Sequence, residues 1–255
     1  MIDIHCHIIP GLDDGPQDIQ DSIEMLHCAE KDGIRSIIAT PHSFDGVYQV
    51  APELIDQSIV TLKNEMKKNN LSITLFPGME VHLCKDLNAK LIDNKAITLN
   101  HSKYILIELP AAFIPQQFKE VIFQLRLKGF YPVLAHPERN IAVNKYPDII
   151  YDFFEWGIFI QLTASSVTGA FGSRIKNLCK TLIQNRLVHF IASDAHSIYN
   201  RPPVLSEAYK MAKYILKDET EADALFFSNP ESIINNIPID VCEPIKKRKK
   251  IFKFF

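Results

Sequence analysis

The sequence predicts a single α/β domain of barrel type, and three observations carry that prediction. Apolar runs of strand length recur seven times along 255 residues, helical patterns separate them, and most runs end in imidazole or carboxylate groups. The runs are Ile2–Ile4, Ser36–Ala39, Ile73–Phe76, Tyr104–Leu109, Pro132–Ala135, Phe159–Thr163 and Val188–Ala192. They are β-branched or aromatic and nearly continuous, as parallel strands covered on both faces require. After the first run, Ile19, Ile23, Leu26 and Ala29 share one helical face, and Gly33 is placed to end that helix. Leu54–Met66, Pro115–Leu127, Tyr146–Phe154, Ser173–Gln184 and Pro203–Leu216 read as further helices, with Pro115 and Pro203 near starts that tolerate proline. No linker, repeat or low-complexity tract intervenes, so residues 1–240 form one domain and 241–255 a tail. A doubly wound sheet is the main alternative. No GxGxxG follows a strand, which weakens its dinucleotide-binding form.

Composition narrows the function classes. Hydrophobic residues make up 47% and charged residues 23%, ordinary values for a globular chain with a substantial core. A formal net charge of -2 argues against a dedicated nucleic-acid binder. No apolar stretch approaches the roughly 20 residues of a membrane span, and no signal peptide is expected, because Met1 leads directly into a strand. The five cysteines are scattered without CxxC spacing and read as reduced thiols of a cytoplasmic protein.

The chemistry lies at the strand ends. His5 and His7 stand two residues apart on a strand and so face the same side, where two imidazoles can share a divalent ion. Cys6 between them points the other way and reads as a small buried residue. Asp13-Asp14-Gly15-Pro16 forms a carboxylate-bearing turn close by. Pro41-His42 follows the second strand and Gly78-Met79-Glu80 the third; Glu108 closes the fourth, His136-Pro137-Glu138-Arg139 the fifth, and Asp194-Ala195-His196 the seventh. In a barrel the C-terminal strand ends make one face, and that face holds the active site. The candidate ligands are His5, His7, Asp14, His42, Glu80, Glu108, His136, Asp194 and His196. Nine nitrogen and oxygen donors are too many for one ion and suit two or three. Their type favours Mn²⁺, Fe²⁺ or Zn²⁺. Ions about 3.5–4 Å apart are used most often for phosphoester hydrolysis. Arg139 and Arg201 belong to loops on the same face and suit bidentate phosphate binding. His27 and His189 read as fillers, His82 and His101 as weaker candidates. Phe44 and Tyr48 either flank a substrate ring or merely pack.

These motifs, in this order, resemble the polymerase-and-histidinol-phosphatase (PHP) superfamily. Within it, the chain is similar to the bacterial tyrosine-protein phosphatases encoded with capsule and exopolysaccharide genes. The resemblance covers about residues 1–240 and implies a distorted (β/α)7 TIM-like barrel with a trinuclear site, usually of manganese. Carried over, one ion would take His5, His7, Glu80 and Asp194. A second would share Glu80 and add Glu108 and His136, and a third would take Asp14, His42 and His196. Carboxylates at Asp14 and Glu108, where other branches often have histidine, favour the tyrosine-phosphatase branch. Arg139 and Arg201 match its phosphate-binding and catalytic arginines. The implied substrate is the phosphotyrosine tail of a membrane-associated tyrosine autokinase.

The expected reaction is attack of a metal-held hydroxide on phosphorus, expelling a phenolate of pKa about 10, with Asp14 or His196 available to assist. A phosphocysteine mechanism with a Cys-x5-Arg loop is not expected. The rivals are a histidinol-phosphate or other small-molecule phosphatase, a polymerase-associated exonuclease and an inactive metal-bearing scaffold. The tail, rich in lysine and phenylalanine, reads as a solvated end with some capacity to touch anionic lipid but no stable membrane insertion.

Overall fold

The computed structural model describes residues 1–245; residues 246–255, most of the tail, lie outside the described residues. In chain order the strands are β1 (Ile2–Cys6), β2 (Ser36–Ala39), β3 (His42–Ser43), β4 (Thr74–Pro77), β5 (Glu80–His82), β6 (Tyr104–Glu108), β7 (Tyr131–Leu134), β8 (Phe159–Thr163) and β9 (Phe190–Ala192). All pairings are parallel, in one sheet ordered β1-β2-β4 and another ordered β3-β5-β6-β7-β8-β9.

Two of the seven expected strands are each followed, after a break, by a second short strand that continues the same stave. Thr40-Pro41 interrupts the stave made by β2 and β3, and Gly78-Met79 the stave made by β4 and β5. Pairing continues across the breaks: Thr40 N–H donates to the Cys6 carbonyl at 3.0 Å and Glu80 N–H to the Pro41 carbonyl at 3.1 Å. Gly78 has no room for a side chain, since a Cβ there would lie 2.8 Å from Ile38 Cγ2. The last stave returns to the first through Asp194 N–H to His5 O at 2.8 Å and His7 N–H to Ala195 O at 2.9 Å. The result is a closed, distorted seven-stave barrel, which excludes the doubly wound alternative.

Period-two alternation divides the apolar residues. Tyr104, Leu106, Val133, Phe159, Phe190 and Ala192 pack into one buried cluster, on the strand faces that carry Glu108 upward. Their neighbours Ile105, Ile107, Leu134, Ile160, Leu162 and Ile191 join the larger cluster beneath the helices.

The first helix runs Ile19–Asp32, capped by Asp18, whose side chain accepts from Gln20 and Asp21 N–H, and ended by left-handed Gly33 as expected. Ser173–Gln184 keeps its expected bounds, and the other later helices are shifted. Pro52–Lys68 is longer, with Pro52 in its first turn. Phe118–Leu127, Ile149–Glu155 and Ser206–Leu216 each start three residues late. Pro115 sits in the preceding turn, where its carbonyl accepts from Phe118 N–H at 2.9 Å. The helix at Ser206 begins where Asp32, 174 residues away, accepts from Leu205 and Ser206 N–H at 2.6 and 2.9 Å. Short helices at Leu87–Ile92, Ile141–Lys145, Ala164–Thr168, Glu219–Phe226 and Ser228–Ile234 carry too few turns to show a period. The beginning of the tail is tied down, Ile245 N–H donating to Asn185 O at 3.0 Å. Among the described residues no helix is long and apolar enough to cross a membrane.

His189 lies just before β9 rather than inside a strand. Its Nδ1 accepts from Ile160 N–H at 3.0 Å, and burial pushes its pKa down to about 3. An imidazole held neutral in the fold but free to protonate near pH 6.5 when unfolded costs stability as pH falls from about 6.5 toward 3. Urea unfolding of metal-stripped protein between pH 6.5 and 4 should show that loss. His189→Gln should lower the slope by up to about 1.4 kcal/mol per pH unit; equal slopes would show that His189 is not the linked group.

Candidate metal centre

All nine expected donors meet at the carboxyl end of the barrel. Glu80, fully buried at the start of β5, is the hub. Its Oε2 lies 3.2 Å from His5 Nε2, 3.3 Å from His7 Nε2 and 2.9 Å from His42 Nδ1, and its Oε1 2.9 Å from His136 Nε2. Asp194 Oδ1 faces the same pair at 3.3 Å from His5 and 3.5 Å from His7. Glu108 approaches His42 and His136 at 3.9 Å each. Asp14, 49% exposed, closes the open side at 3.2 Å from His196 Nε2. His42 and Glu80 do not simply follow strands; each begins a short strand of its own, paired with the other in register.

Donor atoms gather in three groups: His5, Glu80, His136 and Asp194; His42, Glu80 and Glu108; and His7, Asp14, His42 and His196. This differs from the carried-over sets in seating His7 with Asp14 and His136 with His5, and in adding His42 to the Glu108 group, although His7 Nε2 is only 3.1 Å from that of His5. Glu80 Oε2, Asp194 Oδ1 and His196 Nε2 are buried without a properly directed hydrogen bond. Their neighbours are near but misaligned, as befits lone pairs aimed at common points between them. Buried, unsatisfied imidazole and carboxylate donors are the set that borderline divalent cations take, so the residues fit such ions.

Supporting residues set the ring orientations. His7 Nδ1–H donates to Asp13 Oδ2 at 2.6 Å, and His5 Nδ1–H to Gln161 Oε1 at 3.0 Å, which leaves both Nε2 lone pairs for the centre. Asp13 is itself held by Gly15 and His42 N–H at 2.9 and 3.0 Å. A Cβ at Gly15 would lie 2.7 Å from the His7 carbonyl, so only glycine lets the turn come this close. Below them Asp3 accepts from Ser193 N–H at 2.9 Å, and burial pushes its carboxyl up to about 6. Sequence reasoning passed over Asp13, although it stands in the quoted turn, and over Gln161, which lies mid-strand and gave no signal.

Electrostatics follow from this packing. Burial disfavours the charged forms of His7, His42 and His136, but the carboxylates facing them outweigh it and raise all three pKa values. Burial opposes ionisation of Glu80 and Asp194, and the surrounding imidazoles overcome it. His196 is lowered by burial and by His7, and Asp14 is held low chiefly by the His196 imidazole 3.2 Å away.

Arg139 and Arg201 both reach Asp194 Oδ2, Arg139 Nη1 at 2.5 Å. They come from the loops after β7 and β9, whose turning residues His136 and Asp194 adopt left-handed φ values of 32° and 53°, a strain tolerated at functional sites. His82 is outside the three groups but contacts Glu108 at 3.3 Å. His101 and His27 are exposed and away from it. Tyr48 stacks on His42 with ring centroids 6.3 Å apart, whereas Phe44 packs on the core beneath Lys90. A cavity of about 450 Å³ opens beside Asp14, His196 and Arg201. One expectation needs correcting: a Cys-x5-Arg spacing does occur, from Cys242 to Arg248. Cys242 is exposed in the terminal segment, belongs to none of the donor groups, and Arg248 lies outside the described residues.

A closed parallel barrel with a buried imidazole–carboxylate nest at its strand ends defines the class, a barrel built to hold divalent ions for hydrolytic chemistry. The family model described as capsular polysaccharide synthesis, CpsB/CapC, matches residues 1–235, and the chain belongs to that family. It is 38% identical to the tyrosine-protein phosphatase YwqE of Bacillus subtilis over the whole of both chains. It is 35% identical to the putative tyrosine-protein phosphatase CapC of Staphylococcus aureus, over 99% of each. The crystal structures of YwqE and of CpsB from Streptococcus pneumoniae are described as unique metal-dependent tyrosine phosphatases. One of these chains superposes with a TM-score of 0.92 at 36% identity, over 97% of this chain and 100% of that one. The phosphotriesterase homology protein of Escherichia coli shares the fold alone, with a TM-score of 0.56 at 10% identity over 92% of this chain and 97% of that one.

Raised imidazole pKa values mean that protons compete with a cation, so binding should release protons and tighten as pH rises from 6 to 8. Calorimetric titration of metal-stripped protein with Mn²⁺ in buffers of different ionisation enthalpy checks this; affinity independent of pH would contradict it. Asp13→Asn should weaken Mn²⁺ binding by roughly 10- to 100-fold.

Proposed function

We propose that this chain is a metal-dependent protein-tyrosine phosphatase, hydrolysing phosphotyrosine on a bacterial tyrosine autokinase of capsule or exopolysaccharide synthesis. The observation that carries the reading is the meeting of two guanidiniums, from different loops, above one nest of nine donors. Full-length similarity to proteins named tyrosine-protein phosphatases supports it. Histidine and carboxylate without thiolate favours manganese, in two or three ions, with iron or zinc the other suitable metals. His5, Glu80, His136 and Asp194 would hold one, Glu108 with His42 and Glu80 another, and His7, Asp14, His42 and His196 a third. When bound, such ions would lower the pKa of a water and polarise the phosphoryl group.

The chain's own residues do the rest. Arg139 and Arg201, 28% and 27% exposed, are open to substrate, and their N–H groups can leave Asp194 for the nonbridging phosphate oxygens. The Asp194 carboxylate keeps both guanidiniums over the nest until phosphate arrives. Asp14 and His196 are held deprotonated in the metal-free protein and serve as electron-pair donors rather than acids. A phenolate leaving group of pKa about 10 makes little demand for an acid. Tyr48, stacked on His42, offers an aromatic wall for the tyrosyl ring. A cytoplasmic location fits the five unpaired thiols.

Metal-stripped protein should be inert towards a phosphotyrosine peptide and recover with Mn²⁺. Arg139→Ala should then lower kcat by roughly 100- to 1,000-fold. Faster turnover of histidinol phosphate than of the peptide would keep the fold and overturn the substrate.

A further inference from the structure

β8 is the one stave whose end supplies none of the nine donors, yet the loop beyond the short helix Ala164–Thr168 that follows it reaches Arg139. That loop carries Phe171 between Gly169 (φ 107°) and Gly172 (φ 90°). Both glycines turn left-handed, a conformation costly for any other residue here. At Gly169 a Cβ would also meet Lys176 Cδ at 3.0 Å. Ala170 N–H donates to Ser165 O at 2.9 Å and Gly172 N–H to Gly169 O at 3.0 Å, so the loop is a hydrogen-bonded turn that holds its tip in place.

At that tip the Phe171 ring is 39% exposed and belongs to neither apolar cluster. Its ring lies under the Arg139 guanidinium, whose carbon is 4.9 Å from the ring centroid. A phenyl group left out of the core and set against one cation does not contribute mainly by burial. Stacking uses the face of a guanidinium and leaves the N–H groups in its plane free. Arg139 accordingly keeps its 2.5 Å bond to Asp194 while it rests on the ring.

We infer that Phe171 is a positioning residue, which holds the Arg139 guanidinium in the plane from which it binds the phosphate of the substrate. The inference rests on Arg139 being a phosphate ligand, as proposed above. Without the ring the long side chain regains rotamers that must be frozen each time phosphate binds. Among the described residues Phe171 belongs to none of the donor groups and makes no ring contact with their histidines, so the centre itself does not depend on it.

The test uses the full chain loaded with Mn²⁺, p-nitrophenyl phosphate as substrate and inorganic phosphate as competing ligand. Phe171→Ala should raise KM and the phosphate inhibition constant roughly three- to tenfold, at unchanged Mn²⁺ content. Phe171→Tyr should restore both constants and Phe171→Leu should not, because leucine fills space without a π face. In an Arg139→Ala background, Phe171→Ala should add nothing. If Arg139→Ala leaves phosphate binding intact, the reading of Arg139 fails, and this inference with it. If Arg139→Ala weakens phosphate and Phe171→Ala does not, the inference alone is overturned. It is overturned equally by full rescue with leucine, by additive effects of the two substitutions, or by loss of Mn²⁺ from Phe171→Ala.

Discussion

Glu80 is the constraint on which the rest of the molecule depends. A fully buried carboxylate is costly unless cations or hydrogen-bond donors surround it. Here the rings of His5, His7, His42 and His136 all turn toward its two oxygens. These rings come from the end of β1, one broken stave and the end of β7, and Glu80 itself from the other broken stave, so satisfying one carboxylate draws together the mouth of the barrel. The same crowding leaves Glu80 Oε2 and Asp194 Oδ1 without directed partners, which suits a site completed by added positive charge.

The barrel departs from regularity where this convergence needs it. The breaks at Thr40-Pro41 and Gly78-Met79 end one strand segment and start another with His42 and Glu80 already in register. Gly78 makes room for Ile38, and Gly15 allows the Asp13 turn to lie against the His7 backbone. The left-handed His136 and Asp194 turn the chain sharply, so that each loop can return an arginine over the site. Local backbone irregularity and the position of a functional side chain go together at each of these places.

Control of the centre is layered from within the barrel outward. Asp13 and Gln161 choose which nitrogen of each histidine faces inward, and Asp3 braces the Ser193 turn that carries Asp194. Above the nest, Asp194 binds two guanidiniums through one oxygen while turning the other to the imidazoles. The layer nearest the nest is charged and buried, and the outer one is partly open to solvent, as substrate exchange requires.

Much of this was legible in the residues. Parallel strands buried on both faces must be apolar throughout, so all seven staves stood out, and the polar groups that ended them marked one face of the barrel. Those groups, read from the strand ends, supplied all nine candidate donors that the fold brings together and both arginines that reach Asp194. Asp13 stood beside Asp14 in the quoted turn, but a carboxylate that ligates and one that orients a ligand look alike in sequence. Gln161 could not be found, because a polar residue inside an apolar strand acquires meaning only when His5, 156 positions away, is placed against it. The late start of the helix at Ser206 likewise depends on Asp32, brought up by another helix. Sequence by itself determined the staves and the candidate donors, because those depend on local periodicity and side-chain chemistry. Only the tertiary structure decided the split staves, the grouping of His7, the ring orientations and the clasp on Asp194, because each is a contact between residues far apart in the chain.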